Sequence, residues 1–209
     1  MRFCLLSFAC TLVATAQALP ITDLQKLDIK EAQAASVTYR GKAAVKLTSV
    51  NDGLAAIKNF TFHNGVIDVD VAGSPSASAV ETARGFIGIA FRIQATGRYE
   101  RLYVRPTNGR ASDQLRRNHS TQYVSEPEWP WERLRKESPG VYESYADLLP
   151  GEWTHLRIVV QGTDASLFVG GANQPCLVVH DLKLGDVPGG IALWTGPGTE
   201  GYFHDLVIK

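Results

Sequence analysis

Short runs in which apolar and polar residues alternate, each broken by Gly, Pro or an Asn-Gly or Asn-Asp pair, fill almost the whole chain. A break about every eight to twelve residues is too frequent for a helical domain and is the spacing of an all-β sandwich or barrel. The strands expected from this punctuation are 36–40, 43–48, 65–72, 85–94 and 99–105, then 154–161, 165–170, 176–181, 190–194 and 202–208. Asn64-Gly65 and Asn108-Gly109 are turn dipeptides. Only 21–35 leaves room for a helical turn, and no internal repeat is visible. Period two also assigns faces. Ile67, Val69 and Val71 oppose Val66, Asp68 and Asp70; Ile87, Ile89, Phe91 and Ile93 oppose Gly88, Ala90 and Arg92. Leu102 and Val104 oppose Tyr99, Arg101, Tyr103 and Arg105, and Leu156, Ile158 and Val160 oppose Trp153, His155 and Arg157. Strands apolar on one face and polar on the other form a two-sheet antiparallel β-sandwich.

The first eighteen residues break this pattern. Arg2 precedes an apolar run at 3–13, and Ala16-Gln17-Ala18 follows as an A-x-A site, so 1–18 is expected to be a secretory signal peptide. The run is shorter than the roughly 20 residues of a transmembrane helix, and no later window is apolar enough, so the protein is not expected to span a membrane. The remaining 19–209 suffices for one domain with its own core. Cys4 and Cys10 leave with the leader, so Cys176 stands alone in an apolar string, where a buried, inert thiol is expected and no internal disulfide can form. Lys+Arg and Asp+Glu both number 21, and without clustered basic residues nucleic acid is not an expected partner.

Residues 107–150 are different again. Arg110, Arg116, Arg117, Arg133 and Arg135 alternate with Glu126, Glu128, Glu132, Glu137 and Glu143. Tyr123, Trp129, Trp131, Tyr142 and Tyr145 lie among them. So many aromatics argue against disorder, and a connection this long is usually functional, so an ordered loop over the sheet is expected.

The strings GFIGIAFR at 85–92 and YERLYVRP at 99–106 resemble strands of the concanavalin A-like lectin/glucanase superfamily. GEWTHLRIVV at 151–160, with GGIAL at 189–193 and YFHDLVIK at 202–209, is similar to its DUF1080 (3-keto-disaccharide hydrolase-type) and LamG-like jelly rolls. The likeness spans about residues 65–209 and implies a jelly roll outside the cytoplasm that meets carbohydrate. It does not imply an activity, because one fold hosts lectins, glycosidases, lyases and adhesion modules. The Glu-x-Asp-x-x-Glu strand of the laminarinase-type members is absent, and the nearest string, EPEWPWE at 126–132, holds two prolines that bar a regular central strand. Members of the superfamily often carry a structural Ca²⁺ on a last-strand aspartate, a place matched by Asp205. No other cofactor is expected. GPGTEG at 196–201 has the form G-x-G-x-x-G but precedes a strand, so it is a turn.

The candidate ligand face is the row Arg92, Tyr99, Arg101, Tyr103 and Arg105, extended by Trp153, His155 and Arg157. Asn108, Asp113, Gln114, Arg117, His119, Gln122, Tyr123 and Trp131 would close over it. Sugar C–H faces stack on aromatic rings, and guanidinium groups bind carboxylate or sulfate bidentately, so arginines favour an acidic glycan. A solvated sheet face with ion pairs is the alternative. Catalytic candidates are Glu100 with Asp113 as a glycosidase pair, or His119 or His155 as base with Tyr123 or Tyr103 as acid in a lyase. Three classes stay open at this point: a carbohydrate-binding module, a glycosidase or polysaccharide lyase, and an adhesion or structural sandwich.

Overall fold

A computed structural model describes residues 16–209. The expected leader therefore falls largely outside the described residues. The strands are β1 (Gln17–Ala18), β2 (Leu27–Lys30), β3 (Gln33–Tyr39), β4 (Lys42–Ser49), β5 (Gly53–Ile57), β6 (Gly65–Pro75), β7 (Ile87–Ile93) and β8 (Tyr99–Val104). There follow β9 (Thr121–Glu126), β10 (Glu143–Ser144), β11 (Thr154–Gln161), β12 (Asp164–Val169), β13 (Leu177–Val179), β14 (Gly190–Thr195) and β15 (Thr199–Ile208). One sheet runs β13-β12-β11-β6-β15-β4-β3, with β1 added to β15; the other runs β10-β9-β8-β7-β14-β5-β2. All the pairings are antiparallel. The molecule is the expected two-sheet sandwich, and no helix among the described residues is long and apolar enough to cross a membrane.

The alternation read from the sequence fills the space between the sheets. Ile67, Val69 and Val71 of β6 and Leu156, Ile158 and Val160 of β11 face Ile87, Ile89 and Phe91 of β7 and Leu102 and Val104 of β8. Each such side chain contributes roughly 1.5–3 kcal/mol when buried. On the other side of β7, Gly88 lies opposite both Tyr103 of β8 and Trp194 of β14. A Cβ there would overlap the Leu102 carbonyl oxygen, so only glycine lets these strands close.

The helical turn for which 21–35 left room is present, whereas β2, β5 and the segment 107–150 differ from expectation. Within 21–35 a single 3-10 turn forms at Leu24–Lys26, capped by the Asp23 carboxylate, and the rest is β2 and the start of β3. The segment 107–150 is only partly a cover. It holds α1 (Gln114–Asn118) and α2 (Trp131–Glu137), but β9 and β10 within it extend the sheet itself. The prolines behave as the sequence requires: β9 stops at Glu126, before Pro127, and Pro130 precedes the first turn of α2. Leu134 of α2 is buried in the main core, which fastens this cover to the sandwich.

Candidate functional site

The site grows from the outer face of β8. Tyr99, Arg101, Tyr103 and Arg105 follow one another there, and β9 sets Glu126, Val124 and Gln122 beside the first three. The Arg101 guanidinium lies 3.8 Å from the Trp194 ring centroid and donates to Glu126 Oε1 at 3.0 Å. It is almost wholly enclosed, and its Nε and Nη1 have no hydrogen-bond partner among the described residues, Nη1 lying 3.6 Å from Asp52 Oδ2. Burial pushes the Tyr99 hydroxyl up to about 12 and raises the Glu126 carboxyl, against the opposing charge of Arg101. Farther along the row, Arg105 donates to Tyr103 Oη at 2.9 Å, Gln122 Oε1 at 3.2 Å and the His119 carbonyl at 3.2 Å. Tyr103 and Gln122 thus form a floor that aims Arg105 toward the cover.

Between this floor and the cover opens a cleft of about 540 Å³. Arg84, Arg105, Arg116 and Arg135 line it with Phe86, Trp131, Leu115 and Asn108, and Asp113 is the single carboxylate in the lining. That carboxylate accepts from the Arg116 backbone N–H at 2.6 Å as the cap of α1. Arg84 donates to the Glu81 and Ala83 carbonyls, and Arg116 to Asn108 Oδ1 and Thr107. Neither has a carboxylate partner among the described residues. Burial, then repulsion from Arg116, lowers the pKa of Arg84. A second hollow of about 500 Å³ adjoins the first and shares Leu115, His119 and Arg135 with it. Its wall holds Glu143, which Arg135 grips from Nε at 3.0 Å and Nη2 at 2.7 Å. His119 Nδ1 stands 2.8 Å from the same carboxylate. Burial, with the charges of Arg135 and Arg105, keeps this imidazole below its ordinary pKa despite Glu143. The rim is apolar and wet: Leu115, Tyr145 and Trp131 are 66 %, 46 % and 37 % exposed.

Of the residues named from the sequence, Arg105, Asn108, Asp113, His119 and Trp131 line the cleft, with Tyr103 and Gln122 beneath it. Tyr99 and Arg101 lie at the other end of the row. Gln114 and Arg117 bond each other on the far side of α1 and are not in the lining. Arg92 leaves the row altogether, because a bulge between Phe91 and Ile93 gives it a φ of 54°. Its side chain is fully buried against the carbonyls of His63, Gly162 and Gly185. Glu100 and Tyr123 lie on the inner face: Tyr123 Oη donates to Glu100 Oε2 at 2.6 Å, and the Leu184 N–H donates to Oε1 at 2.6 Å. Burial raises both groups, and neither Glu100 nor Tyr123 lines either hollow.

Trp153, His155 and Arg157 are on β11 and its approach, in the other sheet, so they do not extend this face. His155 sits between Asp70 at 2.8 Å and Asp68 at 3.2 Å. Asp205 is exposed on a bulge of β15 with a φ of 52°, and no group of three or more His, Cys, Asp or Glu able to hold a metal ion occurs among the described residues. Sequence reasoning missed Thr82, Arg84, Phe86, Leu115, Arg116 and Arg135 of the cleft and Glu143 of the adjoining hollow. The charged and aromatic excess of 107–150 was the signal for three of them, whereas nothing local marked Arg84 and Phe86.

No protein-family model matches the chain, and no curated protein matches its sequence. Solved structures do resemble its fold. Carbohydrate binding module CBM66 from Bacillus subtilis superposes with a TM-score of 0.62 at 11% identity, over 88% of this chain and 96% of that one. A glycosidic hydrolase gives a TM-score of 0.56 at 11% identity, over 96% and 98%. A Bacillus subtilis protein of unknown function with a galectin-like fold gives 0.55 at 12% identity, over 90% of each chain. At such identities the likeness establishes the architecture: the chain has a β-sandwich fold of the kind seen in galectin-like domains, carbohydrate-binding modules and glycoside hydrolases.

Proposed function

We propose that the protein is an exported carbohydrate-binding module that holds an acidic glycan in the cleft under the 107–150 cover. The observation that carries this reading is the pair of guanidinium groups, Arg84 and Arg116, facing the cleft without carboxylate partners. Arg84 and Arg116 are half-buried and bond only neutral oxygens among the described residues, so a carboxylate or sulfate bound bidentately would supply the counter-charge they lack. Trp131 and Tyr145 on the rim offer ring faces to sugar C–H groups, which a simple inorganic anion would not use. The fold likeness to a carbohydrate-binding module agrees with this reading. Kinship with DUF1080 and LamG-like jelly rolls, inferred from the strings at 85–106 and 151–160, belongs to the same proposal. A glycosidase is less well served, because Glu143 is gripped by Arg135 and Asp113 caps α1.

Export is proposed from the leader-like 1–18. Cleavage after Ala18 would remove β1 yet keep Leu19, whose N–H donates to the Leu206 carbonyl at 2.8 Å.

A glycan array carrying neutral, uronate and sulfated chains tests the reading with the protein beginning at Leu19. Binding is expected on acidic chains and should weaken as salt rises. Arg84→Gln and Trp131→Ala should each weaken it about tenfold or more, the loss of one charged hydrogen bond or one stacking face. Binding that ignores charge, or that survives both changes, would place the site elsewhere.

A further inference from the structure

His119, which lines the cleft, is paired with Glu143 in the wall of the adjoining hollow, a pairing that binding alone does not need. We propose that His119 is a general base that cleaves a 4-linked uronate chain by β-elimination; this rests on the acidic-glycan reading of the same cleft. His119 lines both hollows, at the point where they join. Its Nδ1 is buried 2.8 Å from Glu143 Oε2, off the ideal hydrogen-bond line, as catalytic contacts often are before substrate tightens them. Glu143 is itself fixed by two bonds from Arg135. Once the Nδ1 contact tightens into a hydrogen bond, Glu143 would select the tautomer with the proton on Nδ1 and leave the Nε2 lone pair free. Nε2 makes no hydrogen bond among the described residues, so the cleft is where that lone pair can act. Burial, with the charges of Arg135 and Arg105, lowers the imidazole's pKa against the pull of Glu143, which favours the neutral form a base requires.

The arginines supply the other requirement. The hydrogen on C5 of a uronate lies next to its carboxylate and becomes acidic only when that charge is neutralised, which Arg84 and Arg116 can do from the same cleft. Nε2 takes the C5 hydrogen as a proton, and the C5–H electron pair becomes the C4=C5 double bond. The C4–O bond breaks, its electrons leave on the glycosidic oxygen, and the imidazolium returns its proton to that oxygen. One fragment gains a reducing end and the other a 4,5-unsaturated uronate, with no water, metal or oxidant consumed. One proton carrier can serve only a hydrogen and an oxygen on the same ring face. That is the arrangement in D-glucuronate and D-mannuronate, whereas D-galacturonate has them on opposite faces.

The test incubates the protein with a β-1,4-glucuronan, mannuronate-rich alginate and polygalacturonate. The ultraviolet absorbance of the conjugated product is followed, and binding to the same polymers is measured by affinity electrophoresis. Absorbance should rise with glucuronan or mannuronate-rich alginate, matched one-for-one by new reducing ends, and not with polygalacturonate. His119→Gln, checked for native circular dichroism, should lower turnover at saturating polymer at least about a hundredfold. Glu143→Gln should lower it too, with its own fold verified. Binding to uronate polymers without any unsaturated product would overturn the catalytic proposal and leave the binding reading standing. Product from polygalacturonate, or full turnover in His119→Gln, would overturn the single-carrier mechanism. Failure to bind any of the three polymers would sink the catalytic proposal together with the uronate form of the binding reading.

Discussion

Arg92 offers the sharpest test of how the site was separated from the scaffold. Its side chain is wholly buried at one end of the sandwich, where Nη1 reaches the Gly185 carbonyl at 2.5 Å. Nη2 donates to Gly162 O at 2.7 Å, to Asn64 Oδ1 at 3.0 Å and to His63 O at 3.1 Å. One guanidinium therefore ties three loops to β7. Arg92→Met keeps the stem but leaves the His63 and Gly162 carbonyls without a donor among the described residues, whereas the Gly185 carbonyl keeps the Val187 N–H and Asn64 Oδ1 keeps the Gly162 N–H. A buried acceptor that loses a charged donor costs about 1–3 kcal/mol, and water entering the gap recovers part of it. The net expectation is a loss of about 3–5 kcal/mol, a large share of the 5–15 kcal/mol that typically holds a domain folded. With a urea m-value of about 2 kcal/mol/M, the unfolding midpoint should fall by roughly 1.5–2.5 M. Arg92→Lys should recover only part of this, because one ammonium cannot span acceptors on three loops. Acidic-glycan binding by whatever fraction stays folded should be unchanged. A midpoint shift below about 0.5 M, accompanied by lost binding, would refute the reasoning and return Arg92 to the ligand face.

Two further outcomes follow from perturbed titratable groups. Burial alone would raise the Asp68 carboxyl, but hydrogen bonds from Arg157 and Lys209 outweigh it and hold it down, to about 2. Its contribution is therefore present above the unfolded value near 3.8 and is lost as pH falls through about 2, so Asp68→Asn should lower Tm at neutral pH and flatten its decline between about pH 4 and 2. Acid limbs that run parallel in the two proteins would contradict this. Cys176 is half-buried rather than buried as expected, and burial pushes its thiol up to about 11, so a thiol reagent at neutral pH should modify the native protein far more slowly than the protein in urea. Rapid native labelling would show the thiol to be accessible.

What the sequence could tell depended on whether a property was local. The inward sets 67/69/71, 87/89/91 and 156/158/160 followed from parity alone, because the pleat is uninterrupted across those residues; Ile93, expected inward with its set, lies beyond a bulge and is only half-buried. Parity failed at Arg92 for a definite reason: one extra residue between Phe91 and Ile93 turns the chain, and no single residue type announces a bulge. It also says which face a side chain takes but not which sheet carries it. Arg101 and Arg157 both oppose an apolar set, yet they stand on opposite outsides of the molecule, because β8 and β11 enter different sheets. The strand Thr121–Glu126 was hidden by its polar residues, which are buried only because the cover lies on them and Tyr142 O accepts from the Gln122 amide. Glu100 shows the converse. It shares parity with Leu102 and Val104, so the face assignment already carried the signal of an enclosed carboxyl, which its reading as a catalytic candidate with Asp113 overlooked. The cleft itself unites Arg84 from before β7 with Arg105 after β8 and Arg116 and Arg135 on the cover. Four cations so far apart in the chain become a site only when the fold sets them around one space and leaves two of them without an acid.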